Sequence, residues 1–224
     1  MLSLGATVLK LVALDMDGTL VDVDSSFAAV HHHFQDHNAD GLRDFLAGRI
    51  DDHEFIRTDV RIWQRHAPDL RVDDLEAILD RVPLMPGAAT LVAGLRARGV
   101  RTAIISGGID LLAHRIAREL RIDLTLANGF RVDSDGRLTG EGIIRVPIKE
   151  KEEVLRGLQH QLGIAVAETA SVGNSEIDVG LFRRSRIGIA FLPEDDAVRR
   201  GATHVVIEKD LGRVLELLHD FPDP

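Results

Sequence analysis

One stretch constrains the fold of this chain more than any other: an apolar run at residues 8–14 that ends in Asp15-Met-Asp17-Gly18-Thr19. A continuous apolar run of this length is typical of a buried strand in a parallel sheet. Ligands of open α/β sheets bind just beyond the carboxyl ends of such strands. Two carboxylates so close together repel each other unless a cation or a shared proton compensates them. The sequence therefore predicts a site here, and the alternative is an acidic surface turn, because Asp-Gly is a common turn pair.

The second half of the chain alternates between strand and helix patterns. Such alternation predicts an α/β fold with a Rossmann-like parallel sheet and right-handed crossovers. A turn-forming Asp-Ser-Asp-Gly sequence inside residues 130–139 predicts one hairpin. The further strands are expected at residues 101–105, 124–127, 168–172, 187–191 and 204–207.

Residues 22–82 contain no convincing strand and show helical spacing instead. Three helices are predicted, starting near residues 25–26, 51–52 and 73–74, where serine or aspartate can accept hydrogen bonds from the first turn. We therefore expect two domains: an α/β core at residues 1–20 and 85–224, and a helical domain at residues 21–84, hereafter the inserted segment. Its hinges are predicted at residues 20–24 and 82–87, where prolines and a glycine interrupt the pattern.

Composition excludes several classes of protein. The formal net charge of -9 argues against a nucleic-acid partner, which would need a basic face. The absence of cysteine excludes disulfides and thiolate chemistry, and fits a reducing compartment. No run approaches the roughly 20 apolar residues of a membrane span. We therefore expect a cytoplasmic protein, monomeric or homodimeric, whose partner is neither a nucleic acid nor a membrane.

Three predicted strands end in small or polar residues, which would meet at one edge of the sheet. These are the Asp15 stretch, Ser106-Gly107-Gly108, and the stretch from Gly173 to Asp178. Glycine backbone amides and helix N-termini favour an anion. Carboxylates suit Mg²⁺, which often bridges to a phosphate. Either Lys149 or Lys151 could supply a cation at the same edge.

These motifs, in this order, resemble the haloacid dehalogenase superfamily and, within it, the phosphoserine phosphatase-like branch. Asp-Met-Asp-Gly-Thr matches the first motif, Ser106-Gly-Gly the second and Lys151 the third, while Gly-Asn174-Ser-Glu-Ile-Asp178 matches the fourth. The inserted segment lies where this branch carries its cap domain. The resemblance implies an α/β core of the same fold with a helical cap.

The resemblance also implies a reaction, the hydrolysis of the phosphomonoester of a small phosphorylated metabolite. Asp15 would attack phosphorus and become an aspartyl phosphate. Asp17 would protonate the leaving alkoxide and then activate water. Thr19 and Ser106, followed by Gly107, would bind the phosphoryl oxygens, and Lys151 would offset the negative charge.

A magnesium ion is implied as well, held by Asp15, the main-chain carbonyl of Asp17 and the fourth motif. The family usually has an aspartate where this chain has Asn174. An amide oxygen can still bind Mg²⁺, but one negative charge is missing. Either metal affinity falls, or Asp178 or Glu176 compensates.

The second departure concerns substrate recognition. Phosphoserine phosphatases place a glutamate after the first motif and an arginine in a cap helix; here Asp24 and Asp59 occupy those positions. Asp59 either forms an ion pair with Arg57, Arg61 or Arg65, or projects with Asp24 into the cleft. In the second case we expect poor hydrolysis of phosphoserine.

Other readings remain open at this point. Phosphoserine phosphatase itself would require recognition rearranged around Arg57 or Arg61. A phosphotransferase would share the same core, and a weakly catalytic phospho-ligand binder would follow from Asn174. The run from His31 to His33 is interpreted as surface of the inserted segment and not as a metal site, because successive helical residues point in different directions and at most two of them could bind one ion.

Overall fold

A seven-stranded sheet forms the centre of the protein, which is described here by a computed structural model of residues 8–219. Its strands are β1 (Leu11–Leu14), β2 (Arg101–Ile109), β3 (Leu124–Val132), β4 (Leu138–Ile143), β5 (Thr169–Gly173), β6 (Ile187–Phe191) and β7 (His204–Val206). They lie in the order β4-β3-β2-β1-β5-β6-β7. Every pairing is parallel except that of β3 with β4. The ends of the predicted core, residues 1–7 and 220–224, lie outside the described residues. The predicted fold class is confirmed.

The helices follow the predicted alternation with one addition. A helix that the sequence pattern had not indicated, α2, occurs within the inserted segment. None of the helices between residues 8 and 219 has the length and apolarity needed to span a membrane. The helices are α1 (Ser26–His33), α2 (Ala39–Leu46), α3 (Asp52–His66), α4 (Val72–Leu79), α5 (Ala88–Ala97), α6 (Asp110–Leu120), α7 (Lys151–Leu162), α8 (Val179–Arg183), α9 (Asp196–Gly201) and α10 (Gly212–Leu218).

Strand β1 lies at the middle of the sheet and is buried along its whole length. Its last residue, Leu14, is in register with Ile104 of β2 and Val172 of β5. The carboxyl ends of β1 and β5 therefore lie at the same edge of the sheet, and the last residues of β2, which include Ser106, lie beside them. This register brings the first, second and fourth motifs together.

The two ends of the inserted segment lie side by side. Val21 forms an antiparallel bridge with Leu84, and the Met85 amide donates to the Leu20 carbonyl at 2.9 Å. These contacts fall within the two predicted hinges. We retain the division into core and inserted domain as a proposal, with paired hinges as its support.

Contacts also join helix α3 of the inserted segment to the α/β core. The Asp52 carboxylate accepts a hydrogen bond from the Ile148 amide at 2.8 Å, and Arg57 pairs with Glu141 on β4. Buried apolar side chains of α1, α3 and α4 belong to the same hydrophobic cluster as those of β1 and β2. The segment is thus packed against the sheet edge that carries the motifs.

Candidate active site

A cavity of about 460 Å³ lies between the motif-bearing edge of the sheet and helices α1 to α3. This volume falls in the range of small-molecule sites. Seven of the ten residues predicted for the site line it, and three do not. The seven are Asp15, Asp17, Asp24, Ser106, Gly107, Lys151 and Asn174.

Asp15 is held at the floor of the cavity by Lys151. The Lys151 ammonium, at the start of α7, donates to Asp15 Oδ1 and to Asp178 Oδ1, both at 2.7 Å. All three side chains are buried. One cation therefore fixes the orientation of Asp15 and leaves its other oxygen, Oδ2, outside this contact.

Asp17 is held from the opposite direction by Ser26, the first residue of α1. The Ser26 hydroxyl donates to Asp17 Oδ2 at 2.9 Å and accepts from the Ile109 amide at 3.0 Å. Asp17 Oδ1 is buried and has no hydrogen-bond partner within residues 8–219. A buried oxygen without a partner is costly. Because Asp17 lines the cavity, a ligand bound there could offset this cost.

Glycines allow this close approach. At Gly108 a Cβ atom would lie 2.5 Å from Ser26 Oγ and 2.7 Å from Asp17 Oδ2. Gly18 has φ +68° and would place a Cβ 2.4 Å from Asn174 Nδ2. Any larger residue at either position would displace a site side chain, because real Cβ atoms do not approach so closely.

Asn174 is oriented by two neighbours. Its amide nitrogen donates to Glu194 Oε1 at 3.1 Å, and its Oδ1 accepts a long hydrogen bond from the Thr19 hydroxyl at 3.4 Å. Because a carboxylate only accepts, Glu194 fixes which end of the amide faces it. The Glu194 amide also donates to the Asn174 carbonyl at 2.9 Å, which ties the two residues together.

The electrostatics of the floor are dominated by crowded negative charge. Burial, and then the charge of Asp178, raise the pKa of Asp15 to about 7, although Lys151 opposes the change. Burial raises the pKa of Asp17 to about 6 against the hydrogen bonds from Ser26. Burial lowers the pKa of Lys151, but the charges of Asp15 and Asp178 outweigh it and raise that pKa overall. One lysine does not balance these carboxylates.

The residues present fit a magnesium ion. Within residues 8–219, no three Asp, Glu or His side chains converge as a metal-ligating group. Mg²⁺ needs only one or two carboxylates when water and phosphate oxygens complete its octahedron. Asp15, the main-chain carbonyl of Asp17 and the amide oxygen of Asn174 are oxygen donors of the right kind, and the unpartnered Asp17 Oδ1 and crowded charge favour a cation.

Two predicted site residues are placed elsewhere. Thr19 is fully buried and does not line the cavity; its hydroxyl donates the long hydrogen bond to Asn174 Oδ1. Asp178, predicted as a metal ligand, has both oxygens occupied. Oδ1 accepts from Lys151, while Oδ2 accepts from the Asn174 amide and from the amide and hydroxyl of Ser175. Both residues position others.

Asp59 is the third correction. It is 1% exposed and lies away from the cavity, inside the inserted segment. Its Oδ1 accepts from His31 Nε2 at 2.7 Å and from Asn38 Nδ2 at 2.8 Å, and none of the predicted arginines is its partner. His31 is itself buried, contrary to the interpretation of the histidine run as surface, while His32 and His33 are exposed.

The open alternatives separate clearly. Lys149 does not reach the floor; its ammonium donates to the carbonyls of Phe45 and Leu46. Glu176, the other suggested source of negative charge, is exposed and does not line the cavity. Arg57 pairs with Glu54 and Glu141, and Arg61 pairs with Glu54, so both arginines lie outside the cavity.

Three contributors to the site are not predicted from the sequence. Ser26 was treated only as a helix start, a role that belongs to Ser25. Glu194 follows β6, whose carboxyl end lies at the same edge of the sheet as the motifs. This position after a predicted strand is the sequence feature that could have indicated it. The apolar side chains of α2 were missed with the helix itself, although Leu42, Phe45 and Leu46 have helical spacing.

The chain is similar to known proteins in both sequence and fold. The sequence model described as haloacid dehalogenase-like hydrolase matches residues 12–183. A phosphoserine phosphatase of Idiomarina loihiensis is 31% identical over 81% of this chain and 81% of its own. A phosphoserine phosphatase of Methanocaldococcus jannaschii is 27% identical over 93% of this chain and 97% of its own.

Two solved structures show the same fold at lower identity. One is titled a phospho-aspartyl intermediate analogue of phosphoserine phosphatase; it has a TM-score of 0.78 and 24% identity, and the match covers 94% of this chain and 99% of that one. The other, a HAD family hydrolase from Salmonella enterica, has a TM-score of 0.83 and 22% identity over 96% of this chain and 73% of that one.

Proposed function

The chain belongs to the haloacid dehalogenase-like hydrolase family, and from that membership we propose that it is a magnesium-dependent phosphomonoester phosphatase working through an aspartyl phosphate. The observation that carries this proposal is the convergence of Asp15, Asp17, Ser106 and Lys151 at the floor of one cavity. These groups come from the residues just after β1, from β2 and from the start of α7, which are far apart in the sequence.

Asp15 is the proposed nucleophile. Lys151 holds its Oδ1, so Oδ2 is the oxygen left to attack phosphorus, and the P–O bond to the alcohol breaks as the new P–O bond forms. Phosphoryl transfer depends mainly on such positioning and on charge stabilisation. The Lys151 ammonium lies 2.7 Å from Asp15 and offsets negative charge that gathers there.

Asp17 is the proposed general acid and base. Ser26 binds Oδ2, so the unpartnered Oδ1 is the atom that would protonate the leaving alkoxide and then take a proton from the hydrolytic water. Ser106 and the main chain at Gly107 border the cavity at the same level and would bind phosphoryl oxygens.

Asp15, the Asp17 carbonyl and Asn174 would hold the magnesium ion. When bound, Mg²⁺ would offset the charge of phosphate and carboxylates and orient the phosphoryl group. Glu194 is hydrogen-bonded to Asn174. Its carboxylate would supply the negative charge that the asparagine lacks, without itself binding the ion. Burial, with the charges of Asp178, Asp195 and Asp24, raises the pKa of Glu194, as expected in an electronegative pocket.

The test is direct. Purified protein with Mg²⁺ should hydrolyse ethyl phosphate and p-nitrophenyl phosphate, and Asp15→Asn should remove that activity by several orders of magnitude while the protein stays folded. Acid-quenched mass spectrometry should find the phosphoryl group on Asp15. Asp73→Asn, an exposed carboxylate of α4, is the matched control and should keep activity. Equal activity in Asp15→Asn would refute this role.

Phosphoserine phosphatase proper is the second candidate, favoured by the names of the curated relatives. It differs from the first only in the group attached to phosphate. Kinetics with phosphoserine in the same assay distinguish the two candidates.

A further inference from the structure

The cavity has two regions of opposite chemistry. Its floor is polar and carries the proposed catalytic groups. The region beyond the floor is apolar and is formed mainly by α1, α2 and α3 of the inserted segment. Its lining includes Phe27, Leu42, Phe45, Leu46, Phe55 and Ile148.

Stacked rings fix the shape of this apolar wall. Phe45 and Phe55 stack with centroids 4.9 Å apart and an interplanar angle of 13°, and Phe27 stacks on Phe55 at 6.5 Å. Phe27 also stacks on the buried Trp63 at 6.0 Å. The chain has eight phenylalanines, and three of them line this cavity. Aromatic side chains are thus concentrated here and held in place by one another.

Two leucines of α2 remain open to solvent at the edge of the wall. Leu42 is 47% exposed and Leu46 is 60% exposed, and both line the cavity. Large apolar side chains that are exposed next to a concave apolar surface are typical of a ligand-binding groove. A bound apolar group would remove these side chains from water.

The charges around the cavity are unfavourable for a second anionic group. Among the lining residues of the described chain, Lys151 is the only cation, and Asp15 and Asp178 already bind it. Asp24 and Glu194 line the cavity as well. A carboxylate on the substrate would therefore be buried near like charges and without a counter-charge, which is costly.

On the premise of the phosphatase function proposed above, we propose that the preferred substrate is a monophosphate ester of an uncharged, largely apolar alcohol, aryl-substituted or branched. The phosphate occupies the polar floor, and the apolar part lies against Phe27, Phe45 and Phe55. The α2 leucines cover its outer side. A substrate carrying a second anionic group, such as the carboxylate of phosphoserine, is disfavoured.

The experiment compares kcat/KM for 2-phenylethyl phosphate, ethyl phosphate and O-phosphoserine in the presence of Mg²⁺. We expect 2-phenylethyl phosphate to exceed phosphoserine by at least about tenfold, the lower end of what burial of one methylene gives in a specific pocket. Its advantage over ethyl phosphate should lie mainly in KM, because the ring contributes binding that is equal in the ground and transition states.

Variants then locate the preference. Leu46→Gln should lower the ratio of kcat/KM for 2-phenylethyl phosphate to that for ethyl phosphate, while Ile207→Gln, an exposed apolar residue outside the cavity, should leave it unchanged. Leu42→Lys adds a cation at the edge of the cavity. It should raise kcat/KM for phosphoserine relative to that for 2-phenylethyl phosphate.

The outcomes are distinguishable. Preference for phosphoserine in the parent protein, or a ratio insensitive to Leu46→Gln, overturns the substrate class and leaves the phosphatase function standing. Failure to hydrolyse any of the esters overturns the phosphatase function itself.

Discussion

Replacing Asp59 tests whether this carboxylate recognises substrate or supports the inserted segment. The structure places it in a buried chain of hydrogen bonds. Trp63 Nε1 donates to His31 Nδ1 at 3.2 Å, and His31 Nε2 donates to Asp59. Because the indole N–H can only donate, the ring proton of His31 lies on Nε2. Asp59→Ala would leave that buried N–H, and an amide hydrogen of Asn38, without an acceptor.

The expected loss can be estimated from these contacts. An unsatisfied buried donor costs about 1–3 kcal/mol, and that range applies to the His31 N–H. Asn38 is partly exposed, so water can replace some of its lost hydrogen bond, at a cost of about 0.5–1 kcal/mol. Asp59→Ala should therefore lower the free energy of unfolding by about 1.5–4 kcal/mol.

Asp59→Asn is the matched variant. Both donors bind the same oxygen, Oδ1, and an asparagine oxygen can accept from both. The other carboxylate oxygen, Oδ2, is buried without a partner within residues 8–219, so its replacement by an NH₂ group breaks no hydrogen bond seen there. We expect a loss of about 1 kcal/mol or less.

Denaturant unfolding at several pH values is the assay. Burial raises the pKa of Asp59. The folded parent therefore retains a proton that the unfolded chain releases, and its stability falls as pH rises from the unfolded pKa of about 3.9 to the raised folded value. Asp59→Asn lacks this decline, so the parent's advantage over it should shrink across that window. Equal losses in the Ala and Asn variants, or a drop in kcat/KM for ethyl phosphate in folded Asp59→Asn, would refute the structural role.

Two further predictions concern residues that contact the proposed catalytic groups. Ser26→Ala removes the hydrogen bond to Asp17 Oδ2 and should reduce kcat for ethyl phosphate more than for p-nitrophenyl phosphate, whose leaving group needs less protonation; equal reductions would show that Ser26 does not act through the acid. Asn174→Asp should lower the Mg²⁺ concentration for half-maximal binding, measured calorimetrically. It should also destabilise the metal-free protein, because its carboxylate would face Glu194. Unchanged Mg²⁺ affinity would exclude residue 174 as a ligand.

Local sequence predicted the floor of the site well. The register of β1 with β2 and β5 follows from apolar runs, and small or polar residues ending those runs must share an edge. Asp15, Ser106 and Asn174 therefore come together as expected, and α7 brings Lys151 to them. The position of a buried strand in the sheet can be predicted because its own residues form a continuous apolar run.

The walls of the site could not be predicted in the same way. Asp59 lies on a helix whose rotation is decided by packing against α1, and the buried His31 that binds it is far away in the sequence. Helix α2 contains three large apolar residues, and two of them, Leu42 and Leu46, are exposed, so burial in a core does not specify the helix. The partners of these side chains depend on tertiary packing, which a periodicity does not encode.

The effect of the asparagine in the fourth motif depends on its neighbours as well as on the negative charge that it lacks. An aspartate at this position would lie beside Glu194, whose carboxylate is 3.1 Å from the Asn174 amide nitrogen. Two adjacent carboxylates would add repulsion to a floor where Asp15 and Asp17 already have raised pKa values. Asparagine turns that contact into a hydrogen bond and directs its oxygen away from Glu194. The proposed magnesium site would thus keep an oxygen ligand at residue 174, with the negative charge one residue further from the ion.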